Sequence, residues 1–145
     1  MNIFVLDLDV EKCAQQHNNA HTVKMVLESL TLLGTAHGNQ GWCNHPCAVW
    51  TRQSINNYRW LASLGVELCK EYTYRYGKIH KCQCQLESLK NNEPLLPDIS
   101  MTPFYLAMPK ELWQNDVVEA YRDYYRKYKR HLAKWKNRST PIWYI

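Results

Sequence analysis

The sequence predicts a mainly α-helical fold: a compact three-helix single domain over residues 1–145, with a short N-terminal extended segment and long loops. Three stretches carry apolar residues at helical spacing, helix-starting and helix-stopping residues bracket them, and strand-like alternation is confined to residues 2–8. At 145 residues, 46% of them hydrophobic, the chain has enough apolar surface for one core.

Asn2 to Leu8 alternate weakly and read as a short strand or an extended lead-in. Asp9 is a helix N-cap with Glu11 in the first turn. From Val10 to Leu33, Ala14, His17, Ala20 or His21, Met25, Leu27 or Glu28 and Leu32 recur at helical intervals, which predicts one helix with the Asn18-Asn19 pair as its weakest point. Gly34, Gly38, Asn39, Gly41 and Asn44 mark the following loop, because each tolerates turn conformations. Pro46 suits the first position of a second helix capped by Asn44 or His45, with Trp50, Ile55, Tyr58, Leu61, Leu64 and Leu68 along it. That helix runs to Tyr76, and Gly77 ends it. Beyond it, Pro94, Pro97, Pro103 and Pro109 divide the chain into short pieces with little regular structure. A last helix starts at Asn115 or Asp116 and continues to Trp135, with Val118, Tyr121, Tyr125, Tyr128, Leu132 and Trp135 on one stripe and Trp135 in the core.

The formal charge of +5 favours a phosphate-rich or otherwise acidic partner, and its placement narrows the choice. Between Tyr121 and Arg138, Arg122, Arg126, Lys127, Lys129, Arg130, Lys134, Lys136 and Arg138 face a single acid, Asp123. Such a helix displaces counterions from a nucleic acid without reading its sequence, and the interleaved Tyr and Trp side chains offer stacking surfaces; the competing reading is a solvated helix face. His45 and Arg52 lie at a loop-to-helix junction where unpaired backbone N–H groups favour anions, and Arg75 and Lys78 add charge at the end of the second helix. His45 as a packed residue beside a capping Asn44 is an equal alternative.

His17, His21, Lys24 and Glu28 are spaced by three or four residues and so share one helix face. That face offers a base, a cation and an acid, suited to general acid–base chemistry, to phosphate binding, or to attack by a Lys24 amine if burial lowers its pKa. A polar surface stripe explains the same spacing equally well. Glu71 can orient Arg75 or act as a base, with structural ion pairing as its competitor.

Cys43-x-His45-x-Cys47 and His80-x-Cys82-x-Cys84 gather possible metal ligands, but neither is the CxxC knuckle of a zinc ribbon. We therefore expect the six cysteines to be mostly reduced, as buried free thiols, with neither metal nor cofactor. No stretch approaches the roughly 18 apolar residues of a membrane span, and no signal-peptide pattern opens the chain. The expected compartment is the cytoplasm, that of the host cell if the protein is viral.

The opening Met1-Asn2-Ile3-Phe4-Val5-Leu6-Asp7, His21-x-x-Lys24-Met25, Asn44-His45-Pro46-Cys47, the run Glu71 to Lys78, and Trp135-Lys136-Asn137-Arg138 resemble a family of small proteins encoded by bacteriophages and other large DNA viruses. A second set is Ala14-x-Gln16-His17 on a first helix, His45-Pro46 opening a second, and the terminal Pro141-x-Trp143-Tyr144. This order is similar to the pyrimidine-dimer DNA glycosylases of the endonuclease V type. The resemblance implies a compact three-helix enzyme that holds damaged or kinked duplex DNA, displaces a base and cleaves the N-glycosidic bond, sometimes followed by strand scission.

Two departures bear on the mechanism. Those enzymes attack with the amine of a small, Met-processed N-terminal residue, whereas here Met1 precedes Asn2, which is too large for routine Met removal. An ungapped overlay from Gln16-His17 also places Lys24 at the family's catalytic carboxylate, with Glu28 one turn later. One hypothesis is that Lys24 is the nucleophile and Glu28 or Glu71 assists it. The reading favoured is a glycosylase-like or base-modifying viral enzyme acting on DNA rather than RNA. A non-catalytic nucleic-acid-binding accessory protein and an inhibitor of a host nuclease or defence factor are the alternatives.

Overall fold

The computed structural model describes all 145 residues and contains six α-helices and no β-strand. They are α1 (Val10–Gln16), α2 (Asn19–Thr35), α3 (Pro46–Gln53), α4 (Ile55–Tyr76), α5 (Gln83–Asn91) and α6 (Val117–Tyr128), with short 3-10 turns at Lys110–Leu112 and Arg130–Leu132. The mainly α expectation holds, and the three expected helices are resolved into shorter ones by identifiable side chains.

Helix α4 is the central element. Its Tyr58, Leu61, Leu64 and Leu68 are fully enclosed by α1, α2, α3 and α5, which pack around it. The lead-in is extended but pairs with no strand. Ile3, Phe4, Val5 and Leu6 are buried in succession rather than alternately, as expected of a segment covered on both sides.

The single helix expected over Val10–Leu33 breaks at His17-Asn18. Asn18 adopts extended backbone angles and its side chain accepts the His21 N–H at 2.8 Å, so it caps a new helix instead of continuing the old one. The second expected helix breaks likewise at Ser54, whose Oγ accepts the Asn56 N–H at 3.0 Å. The proline-rich loop fills this break. The Ile55 N–H donates to the Pro97 carbonyl at 2.9 Å, the Ser54 hydroxyl to Ile99 O at 2.6 Å, and Trp50 Nε1 to Thr102 O at 3.1 Å. Gly77, at φ 68°, ends α4 as expected.

Helix α5 lies where little regular structure is expected. Leu86 is its fully buried anchor and rests on Gly65 of α4, where a Cβ would stand 2.7 Å from Leu86 Cδ2. Helix α6 ends at Tyr128, seven residues before Trp135. The chain leaves the helix because the turn between α1 and α2 has unpaired groups: Lys134 O accepts the Asn19 N–H at 2.8 Å, and Trp135 Nε1 donates to Gln16 O at 2.8 Å. Trp135 does close the core, at 9% exposure. No helix is long and apolar enough to cross a membrane.

Candidate active site

Glu28 projects from the middle of α2 and is 5% exposed. One carboxylate oxygen, Oε1, accepts the Asn2 backbone N–H at 2.9 Å and lies 3.5 Å from the Met1 amine; the other, Oε2, lies 3.6 Å from Lys24 Nζ. Lys24 sits one turn earlier on α2 with its side chain 71% exposed. A nearly enclosed carboxylate thus faces two amines, one covered and one reaching solvent.

The lead-in is fixed by its second residue. Asn2 Nδ2 donates to Ala107 O at 2.9 Å, and Asn2 Oδ1 accepts both the Ile3 N–H at 2.8 Å and the Tyr121 hydroxyl at 2.9 Å. Three chain regions therefore hold the peptide that presents the Met1 amine to Glu28. Full burial raises the Tyr121 pKa far above its ordinary value, so its hydroxyl remains a donor.

His45 lies within electrostatic range of the Met1 amine and Glu28. It caps α3, its Nδ1 accepting the Cys47 N–H at 3.0 Å, and its pKa is lowered by partial burial and by the positive Met1 amine, with Glu28 opposing. A surface cavity of about 400 Å³ opens beside it, lined by Asn44, Pro46, Trp50, Phe104 and Tyr105 among others. Trp50 and Phe104 stack there at 4.7 Å. The indole of Trp42 meets the His45 ring edge at 6.2 Å and is 58% exposed.

His17 and His21 share the α1–α2 turn but not this site. His17 is completely buried, Nδ1 lying 2.7 Å from Cys13 O and Nε2 without a partner. His21 stacks on Phe4 at 4.2 Å, with Nδ1 2.7 Å from the Tyr125 hydroxyl. Burial lowers their pKa values to about 4 and about 3, so both imidazoles are neutral at pH 7.

Glu71 belongs to a third cluster. Its carboxylate accepts Arg75 Nε at 2.7 Å and Arg138 through Nε and Nη2, each at 3.0 Å, while Arg75 also donates to Asn19 Oδ1 and Gln15 O. Burial alone would raise the Glu71 pKa, and the two guanidiniums more than reverse this, leaving it lowered. Arg75 ties this cluster to Asn19, nine residues before Glu28, so the cluster meets α2 about 14 Å along that helix from Glu28.

The cations expected on one basic helix have different surroundings. Arg122 pairs with Asp7, and Arg126 with Asp123 and Glu119 and through Nη1 with Trp143 O. Lys129, Arg130, Lys134 and Lys136 make no ion pair, and three of them lie over aromatic rings: Lys129 over Tyr124, Arg130 over Tyr144 and Lys136 over Tyr76. Lys129 and His131 are near enough to His21 to lower its pKa, as is Lys24, so part of this charge lies near the start of α2. Lys78 is exposed at the end of α4. Arg52 points inward, Nη2 donating to Cys43 O at 2.8 Å and Nη1 buried without a partner.

Sequence reasoning found Glu28 and Lys24 from their i, i+4 spacing, and His45 from its place before Pro46. It did not find Asn2 as the clamp or Tyr121 as its partner, because 119 residues separate them. In both His-x-Cys segments the imidazole accepts the N–H two residues on, by which His45 caps α3 and His80 fixes the turn before α5. All six cysteines are free, and no group of three or more His, Cys, Asp or Glu side chains is arranged to hold a metal.

No curated protein and no solved structure matches the chain. The family model for pyrimidine dimer DNA glycosylase matches residues 1–84, more than half of it. The matched region contains the lead-in, Lys24, Glu28, His45 and the Glu71–Arg75 pair, and stops before α6 and the cationic C-terminal segment. By this match, the chain belongs to the pyrimidine dimer DNA glycosylase family.

Proposed function

We propose that the protein is a DNA glycosylase that cleaves the N-glycosidic bond of a nucleotide displaced from duplex DNA, with Glu28 at the reacting centre and an amine paired to it as nucleophile. The observation that carries the reading is the buried Glu28 carboxylate, 3.5 Å from the Met1 amine and 3.6 Å from Lys24 Nζ. In a family whose reaction is the release of damaged bases, an amine facing a carboxylate is the pair the chemistry needs. The carboxylate takes the proton that the ammonium must lose, and the neutral amine attacks C1′ of the sugar while the bond to the base breaks. The departing base carries off the bonding electron pair and is protonated. The nitrogen, losing a second proton, then expels O4′ from C1′; the ring oxygen takes up that proton, and the ring-opened sugar remains as a protonated imine on the nitrogen.

Glu28, one turn beyond the position indicated by a simple overlay, takes the carboxylate's role in this reading. The cavity beside His45, with its stacked Trp50 and Phe104, is suited to an extruded base. Lys129, Arg130, Lys134 and Lys136 supply sequence-independent attraction to phosphates, as expected for a repair enzyme that must scan DNA. His17, His21, Glu71 and Arg75 act in this scheme by holding α1, α2 and α4 together beneath the site.

The test is borohydride trapping on ultraviolet-irradiated duplex, with mapping of the adducted residue. Wild type should yield a covalent adduct on Met1 or Lys24, Glu28→Gln should reduce its yield at least about 100-fold, and Lys24→Ala decides between the two amines. Binding without base release or trapping would refute the enzyme reading and leave a DNA-binding accessory protein.

A further inference from the structure

Trp42 is unused by the chemistry above and is the most exposed of the six tryptophans, at 58%. Its backbone is left-handed, at φ 64°, a conformation that a bulky L-residue adopts only at steric cost. Its neighbour Gly41 would adopt it freely, yet Gly41 is not at positive φ.

The loop around Trp42 is held on both sides. The Cys43 N–H donates to Gln40 O at 3.2 Å, the His45 N–H to Trp42 O at 3.0 Å, and Arg52 Nη2 to Cys43 O at 2.8 Å. His45 is the one aromatic neighbour of the indole, in an edge contact with the rings 70° apart. His45 sits between Asn44 and Pro46, both of which line the cavity stacked by Trp50 and Phe104, so the indole stands at the edge of the cavity proposed for the base. A well-held backbone thus presents a flat apolar ring to solvent beside a cavity suited to a base.

We propose that Trp42 stacks on a nucleobase at the gap left when the target nucleotide leaves the helix, replacing the stacking that extrusion removes. The ligand class is the π-face of a base at an unstacked position in duplex DNA, and any base serves because every base has such a face. The inference rests on the glycosylase reading for the direction from which DNA approaches.

The probe is a duplex with a tetrahydrofuran abasic analogue beside 2-aminopurine, compared with the same duplex intact, at fixed salt. Wild type should prefer the gapped duplex and quench the 2-aminopurine. Trp42→Ala should lose roughly 10-fold or more in affinity for the gapped duplex, lose the quenching, and bind intact duplex as before. Trp42→Phe should recover most of both signals. Trp42→Gly, which accepts the left-handed backbone without strain, should melt no lower than Trp42→Ala and show the same binding defect, separating stacking from folding. Unchanged gapped-duplex binding and quenching in Trp42→Ala would overturn the proposal, as would absence of DNA binding by wild type. Borohydride trapping by wild type is read separately, so a chain that traps but ignores Trp42 refutes only the stacking, and one that stacks without trapping refutes only the reaction.

Discussion

Acidification from about pH 7.5 to about pH 5 should weaken the fold through His17 and His21, and the loss can be worked from their surroundings. Both are buried neutral, with pKa values of about 4 and about 3 where the unfolded chain has about 6.5. His17 has no room for a second proton: Nδ1 is engaged with Cys13 O, Nε2 faces no acceptor, and the Arg75 charge lies nearby. His21 is sandwiched against Phe4, receives the Tyr125 hydroxyl, and has Lys24, Lys129 and His131 as positive neighbours. Above pH about 6.5 neither state binds these protons and stability is unaffected. Below it the unfolded chain takes up protons that the folded chain refuses, so stability falls until the folded values are reached. At pH 5 this amounts to about 2 kcal/mol per histidine, or about 4 kcal/mol for the pair. Urea unfolding at the two pH values measures the loss, and His17→Gln should remove about half of the pH-dependent part. An NMR titration giving either imidazole a native pKa near 6.5 would refute the reasoning.

Glu71→Gln should cost about 3 kcal/mol, because it leaves the fully buried Arg75 without its charge partner; over 145 residues that is about 10 °C in melting temperature, read by thermal unfolding. Gly65→Ala should cost about 1–3 kcal/mol by driving a methyl into Leu86, and combining it with Leu86→Ala should cost less than the sum of the single changes. Replacing Lys129 and Lys136 together by Gln should weaken duplex binding uniformly across sequences and reduce the slope of log K against log salt by up to about 1.8, measurable by fluorescence anisotropy; an unchanged slope would remove both from the DNA-contacting surface.

The helical class was legible in the sequence because periodicity and capping are local. Asp9, Pro46, Gly77 and Asp116 act where their spacing indicates. The i, i+4 relation between Lys24 and Glu28 likewise follows from helix geometry alone, and the family resemblance lies in residues whose order is visible in the chain. Long-range pairing decided the rest. Asn18 and Ser54 break their helices because a capping side chain competes with the backbone, and at Ser54 a loop more than forty residues away supplies the compensating hydrogen bonds. The same helix face that carries His17, His21, Lys24 and Glu28 in sequence is divided by tertiary packing: Phe4 and Tyr125 seal the histidines into the core, while the lead-in brings an amine to Glu28. Sequence alone determined the chemical groups available. Whether each is neutral, ion-paired or exposed depends on which distant segment covers it, since burial and neighbouring charge, not residue type, set its electrostatics.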